Sequence, residues 1–301
     1  MFRKISRGVI VGILVTIPLL ALIWITLFQS EIGMARDIGV PAAALNSYDP
    51  ALVPQSVIDD AANKAAELVG NNRGKQRNIM DQLLAMYQAA QGQDVIILFN
   101  SGGWGWNQTN DTPGWRSILD GITGELDRLG NQALVLNYQR TTGTPLGLVR
   151  EFFEAATSYP HKSRDLVGRI EFLTEHYPDL KIIIAGESTG TVITAKTMDV
   201  LEENQRVYSV QTGTPFWYQP HHSERTLLMN SNGRGIDTFS YGNVPAMIWA
   251  TVKGWLGMTS PDENPGDILS WLKAPGHHYS WEYPGVSSAV ITFLDANFAK
   301  Q

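Results

Sequence analysis

From Asp94 onward the chain alternates short, continuously apolar runs with longer stretches whose apolar residues recur at helical spacing. The runs DVIILFN (94–100), ALVLNY (133–138), KIIIA (181–185) and VYSVQT (207–212) read as strands. Between them, 115–129, 163–177 and 188–203 read as helices, the second with Leu166, Ile170 and Leu173 on one face. A strand apolar at every position has both faces covered, which predicts an α/β fold with a mostly parallel sheet between helices. In such sheets ligands bind outside the carboxyl ends of the strands.

Two other kinds of pattern precede this alternation. Residues 54–70 (Val57, Ala61, Ala65, Leu68) and 76–90 (Ile79, Leu83, Met86, Tyr87) are amphipathic helices separated by the polar NNRGKQ, a helical lead-in over 29–93. Gly8 to Phe28 holds no charged residue for 21 positions and would span about 32 Å as a helix, enough for a bilayer core. Arg3, Lys4 and Arg7 precede it and the first charge after it is Glu31, which orients the N-terminus to the cytoplasm and the remainder outside. A signal peptide has a shorter apolar region and a small-residue cleavage site, and FQSEIGMARD offers no convincing one. The expectation is a membrane anchor over 1–28, the lead-in over 29–93, and one catalytic domain over 94–301.

Composition narrows the partners. The 301 residues are 44% hydrophobic and carry a net charge of −6, which becomes −9 for residues 8–301, so a nucleic-acid surface is not expected. The absence of cysteine excludes a thiol nucleophile, a cysteine zinc site and disulfides.

The chemistry concentrates in three places. GESTG (186–190) sits where a strand ends and a helix begins, the setting in which G-x-S-x-G presents its serine, Ser188, on a sharp turn with the Thr189 N–H directed at an oxyanion. FNSGGWGW (99–106) follows the strand at 94, and its Gly102 and Gly103 let the backbone approach a substrate as further oxyanion donors. Near the end, PGHHYSWEYPGVSSAVITFLDANF places Gly276-His277 before a helix opened by Pro284, with Val286, Val290, Ile291 and Leu294 along its apolar face.

With these three in view, residues 94–298 resemble the α/β-hydrolase superfamily, the serine esterases and lipases among them. Asn100-Ser101-Gly102-Gly103-Trp104 is similar to the His-Gly-Gly-Gly-Trp loop of that family and departs at its first two positions. His277 has the family's spacing to Pro284, whereas His278 is one residue late. The resemblance implies a Ser188-His277-acid triad. Asp237, at the end of SNGRGID after the apolar TLLM, is the preferred acid, with Asp267 next and Asp262 and Glu263 also in the interval. Glu187 reads as structural or solvent-facing, and His161 and His176 as solvated surface residues. A metal site joining His221-His222 to His277-His278 is disfavoured because adjacent histidines diverge, and no cofactor is called for.

The expected function is therefore that of a membrane-anchored, extracytoplasmic serine hydrolase acting on an ester, thioester or other small-molecule or lipid acyl substrate. The alternatives are a catalytically silent binding protein of the same fold, or an acyltransferase or peptidase with the same triad. TPFWY (214–218) is expected to line the pocket. Residues 243–258 read as a helix with Ile248, Val252, Trp255 and Leu256 on one face and Trp249 and Met247 beside it, either an ordinary core helix or a lid within 213–272.

Overall fold

The computed structural model describes residues 48–103, 105, 112–138, 151, 154, 155, 157–221, 223–259, 266–269 and 271–300. Segment 8–28, Trp104, His222, Asp262 and Glu263 lie outside the described residues.

Five strands form one parallel sheet in the order β2-β1-β3-β4-β5: β1 (Val95–Asn100), β2 (Ala133–Asn137), β3 (Lys181–Glu187), β4 (Val207–Thr212) and β5 (Thr226–Met229). Every residue of β1 and β4 is buried, as the apolar run of β1 requires, and β4 buries Ser209, Gln211 and Thr212 among its apolar residues. Strand periodicity divides them between two layers. Val95, Ile97, Phe99, Ile183 and Val210 pack under α3 (Pro113–Arg128) and α7 (Pro284–Phe298). Ile96, Leu98, Ile182, Ile184 and Val207 pack under α4 (Pro160–His176) and α5 (Thr189–Val200) on the other face. Ahead of the sheet, α1 (Gln55–Val69) and α2 (Arg73–Ala90) share a core with Phe172 of α4 through Val57, Ala61, Leu83 and Leu84.

The chain leaves β1 for β2 on one side and returns to β3 on the other, so strand order reverses between β1 and β3. The crevice above their carboxyl ends is where such sheets hold ligands. The loop at 101–103 and the turn at Ser188 both open there.

Two elements differ from the sequence expectation. An antiparallel hairpin, β6 (Asp267–Leu269) with β7 (Leu272–Lys273), precedes His277, where no strand is expected from so few residues. Helix α6 (Val244–Trp255) exists, but it buries Met247, Ala250 and Thr251 and leaves Ile248, Trp249, Trp255 and Leu256 exposed. Its apolar stripe is therefore not a core face. Thr251 faces inward because its hydroxyl donates to the Met247 carbonyl (2.8 Å) and accepts from Lys273 N–H (3.0 Å), which offsets the cost of burying it. Each large side chain left outside forgoes about 1.5–3 kcal/mol of burial. No helix among the described residues is long and apolar enough to cross a membrane.

Candidate active site

Ser188 stands between the last residue of β3 and the first of α5, with φ 50° and ψ −122°. Positive φ is uncommon outside glycine. Tyr159, another such residue, has ψ 47° and occupies the ordinary left-handed well, whereas Ser188 lies far from it. A conformation of this kind costs about 1–3 kcal/mol and persists only where its surroundings over-determine it. Here the Ser188 N–H donates to the Thr212 carbonyl (2.9 Å), the Ser188 carbonyl accepts from Thr191 N–H (3.0 Å), and the Asn100 amide donates to the Gly190 carbonyl (3.0 Å). A Cβ on Gly190 would stand 2.2 Å from the Asn100 carbonyl oxygen, so only glycine lets α5 start this close to the end of β1. The Ser188 hydroxyl is buried and makes no hydrogen bond among the described residues.

The loop after β1 is tied to the serine turn from both sides. Thr189 Oγ1 donates to the Gly103 carbonyl (2.9 Å), and Gly102 N–H donates to Glu187 Oε2 (3.0 Å). Glu187 is thus a strut for the glycine loop, its structural role and not a solvent-facing one. A consequence is that Gly102 N–H, expected to face an oxyanion, is committed to a carboxylate in this conformation.

His277 and Asp237, 40 residues apart in sequence, lie 2.8 Å apart from Nδ1 to Oδ2, both buried. Two loops are clamped to bring them there. The Asn232 amide donates to the Gly276 and His278 carbonyls (3.2 and 2.7 Å), and Thr238 N–H donates to the Pro275 carbonyl (2.9 Å). A carboxylate only accepts, so the imidazole proton resides on Nδ1 and Nε2 keeps a lone pair. Asp237 also accepts from Tyr279 OH (2.8 Å), Ser240 Oγ (3.0 Å) and the N–H groups of Phe239 and Ser240 (2.9 and 3.2 Å). Burial by itself would raise the Asp237 pKa, but the hydrogen bonds and charge of His277, with Tyr279 and Ser240, hold it below the usual 3.8. Burial raises Tyr279 well above its usual range, and the Asp237 charge adds to that, so it remains a donor. Tyr279 and Asn232 have no motif that a sequence reading could use.

A cavity of about 330 Å³ joins these parts. Ser188, His277, Gly102, Gly103 and Glu187 line it with Trp115, Asp267, Ile268, His278 and Tyr279. Asp267, the second candidate acid, is exposed and pairs with Lys273. Among the described residues, neither the 214–218 segment nor α6 lines the cavity. Phe216 and Trp217 are exposed instead, and Trp217 packs on Phe239, which packs on His277, with ring centroids 5.3 and 4.9 Å apart in succession. The lid reading of α6 finds no support in that lining.

The other described histidines lie elsewhere. His161 is exposed beside Glu154, but His176 is not a solvated residue: it packs edge-on against Phe172 (4.7 Å) and Tyr87 (5.7 Å). His221 pairs with Asp199 at 3.4 Å, and no group of three or more metal-ligating side chains occurs among the described residues.

Gly213 lies behind His277, at φ 67°, where a Cβ would stand 2.6 Å from His277 Cε1 and 2.9 Å from Nδ1. Gly213→Ala is expected to displace the imidazole and lower turnover about 100-fold, the scale of a 1 Å misplacement. It should do so with the fold retained, which circular dichroism alongside ester hydrolysis would check; a folded variant of unchanged turnover would contradict this role.

No protein-family model matches the chain, and no curated protein matches it. Among solved structures it is similar to a Trichoderma reesei cutinase in complex with a C11Y4 phosphonate inhibitor, at 13% identity over 81% of this chain and 94% of that one, with a TM-score of 0.37. It is also similar to a cutinase-like protein from Cryptococcus sp., at 14% identity over 69% of this chain and 96% of that one, with a TM-score of 0.43.

Proposed function

We propose that this protein is a serine hydrolase of the α/β-hydrolase type that cleaves a carboxylic ester or a related acyl substrate, held at a membrane by residues 8–28 with its catalytic domain outside the cytoplasm. The observation that carries the proposal is the strained turn of Ser188 at the strand-order reversal, sharing one cavity with a histidine hydrogen-bonded to a buried carboxylate. The anchor rests on the sequence alone.

In the proposed mechanism, Ser188 Oγ attacks the acyl carbonyl while His277 Nε2 takes its proton, and Asp237 orients and stabilises the imidazolium. The N–H groups of Thr189 and Gly103 hold the oxyanion, and Gly102 N–H joins them when Glu187 releases it. The imidazolium returns its proton to the departing alkoxide, leaving Ser188 acylated. Water then attacks the acyl group, giving one proton to His277, and the carboxylic acid departs as Ser188 recovers its own. No cofactor takes part.

The test is covalent labelling by a fluorophosphonate probe at neutral and mildly alkaline pH. Peptide mapping should find the adduct on Ser188, and Ser188→Ala should stay unlabelled. Folded wild-type protein that resists the probe throughout would replace this reading with that of a silent binding protein.

A further inference from the structure

Large apolar side chains exposed to solvent are not spread evenly over this molecule. Among the described residues, ten of the twelve fall between 216 and 258. They form a connected surface at the start: Phe216 packs against Trp217 with ring centroids 5.0 Å apart, and lies within contact distance of Gly242, next to Tyr241 and the start of α6. Along α6, Ile248, Trp255, Leu256 and Trp249 occupy one arc of the helix, opposite the Met247–Ala250 side that packs on Phe239 and Ala274. The helix is thus apolar both toward the domain and away from it.

What covers the outer arc is indicated by charge, residue type and tether. Between Glu224 and Asp262 the only acidic residue is Asp237, which is fully buried, and α6 itself carries one basic residue, Lys253. A chain of net charge −6 therefore exposes no carboxylate along the described part of this stretch, and Asp267, exposed on the hairpin beside α6, is paired with Lys273. That suits a surface of anionic headgroups, which would repel one. Trp217, Tyr241, Trp249 and Trp255 are the residue types that favour the level between headgroups and acyl chains. Nineteen residues separate Phe28 from Tyr48, enough chain for up to about 70 Å, so an anchored domain can bring any face to the bilayer.

We infer that the surface formed by Trp217, Tyr241 and the outer arc of α6 docks on the lipid bilayer. The inference rests on the anchored-hydrolase reading and deepens it. The docked face lies outside the cavity lining and two ring contacts from His277, by way of Trp217 and Phe239, so docking would hold the domain at the bilayer without closing the site.

The chain contains no cysteine, so a single introduced thiol can report on each position. Trp249→Cys, Trp255→Cys and, as control, Val200→Cys would each carry a nitroxide label in the full-length protein. Val200 is exposed at the end of α5 remote from Ser188. The labelled proteins would be reconstituted in phosphatidylcholine–phosphatidylglycerol vesicles and floated, and collision with oxygen compared with collision with a water-soluble nickel complex. At 249 and 255 oxygen access should exceed nickel access at least threefold, with the order reversed at 200. Floating protein whose labels at 249 and 255 meet nickel as freely as at 200 would overturn the docking face while leaving the anchor standing. Protein that does not float would overturn both. Low access to both reagents, with spin–spin broadening in undiluted samples, would mean a second copy covers the face and would equally overturn the inference.

Discussion

His277→Ala lowers kcat/KM for a short-chain ester by about 10⁴- to 10⁶-fold, and His278→Ala lowers it less than tenfold. Two adjacent histidines both line the cavity, so proximity does not separate them. Orientation does. His277 spends Nδ1 on Asp237 at 2.8 Å and is held on edge by Phe239, leaving Nε2 as its one basic atom. Among the described residues His278 has no carboxylate in hydrogen-bonding contact; its ring packs edge-on against Tyr283 at 5.7 Å, and burial pushes its pKa below 6.5. Glu282 and Asp267 favour its protonated form only at a distance, without the hydrogen bond that Asp237 makes to His277. Hydrolysis of p-nitrophenyl acetate by both variants, each shown to be folded, measures the difference. A larger loss at His278 would place the base one residue later than the spacing to Pro284 implies.

The parts of this fold that could be read from the sequence are those where one residue's environment is set by its neighbours along the chain. Strands β1 and β3 are apolar at consecutive positions because helices cover both faces, and no partner need be known to see that. Ser188 is legible for the same reason: the turn needs glycine on either side, and a strand and a helix announce themselves beyond it. Helix α6 shows where this stops. Its stripe of Ile248, Val252, Trp255 and Leu256 has helical spacing, but periodicity does not say which side faces water, and the inward side is fixed by contacts with Phe239, Ala274 and Lys273. Tyr279 and Asn232 were hidden because a single hydrogen bond across more than 40 residues leaves no periodic trace. The hairpin β6–β7 is too short for any pattern to emerge.

The acid of the site was the least legible member, and it yields the second large effect: Asp237→Asn should cut kcat by about 10⁴-fold, whereas Asp267→Asn should stay within a few-fold of wild type. Both carboxylates are near His277, Asp267 as part of the cavity wall and Asp237 at 2.8 Å from its Nδ1. Asp267 is exposed, carries a Lys273 counter-ion and is screened by solvent, so its charge does little for a developing imidazolium. Asp237 is fully buried and accepts five hydrogen bonds, so its charge acts at short range with little water to screen it. Asparagine keeps the volume but loses the charge, and its amide permits the imidazole tautomer with the proton on Nε2, which is useless as a base. The same carboxylate marks the pH profile of stability. Its folded pKa lies below 3.8, so its contribution is present above about pH 4 and is lost as pH falls through the folded value. Urea unfolding between pH 7 and pH 3 should therefore show a steeper acid loss in wild type than in Asp237→Asn. If Asp267→Asn instead abolished turnover while Asp237→Asn retained it, the buried pair would be a structural clamp and the catalytic acid would lie in the cavity wall.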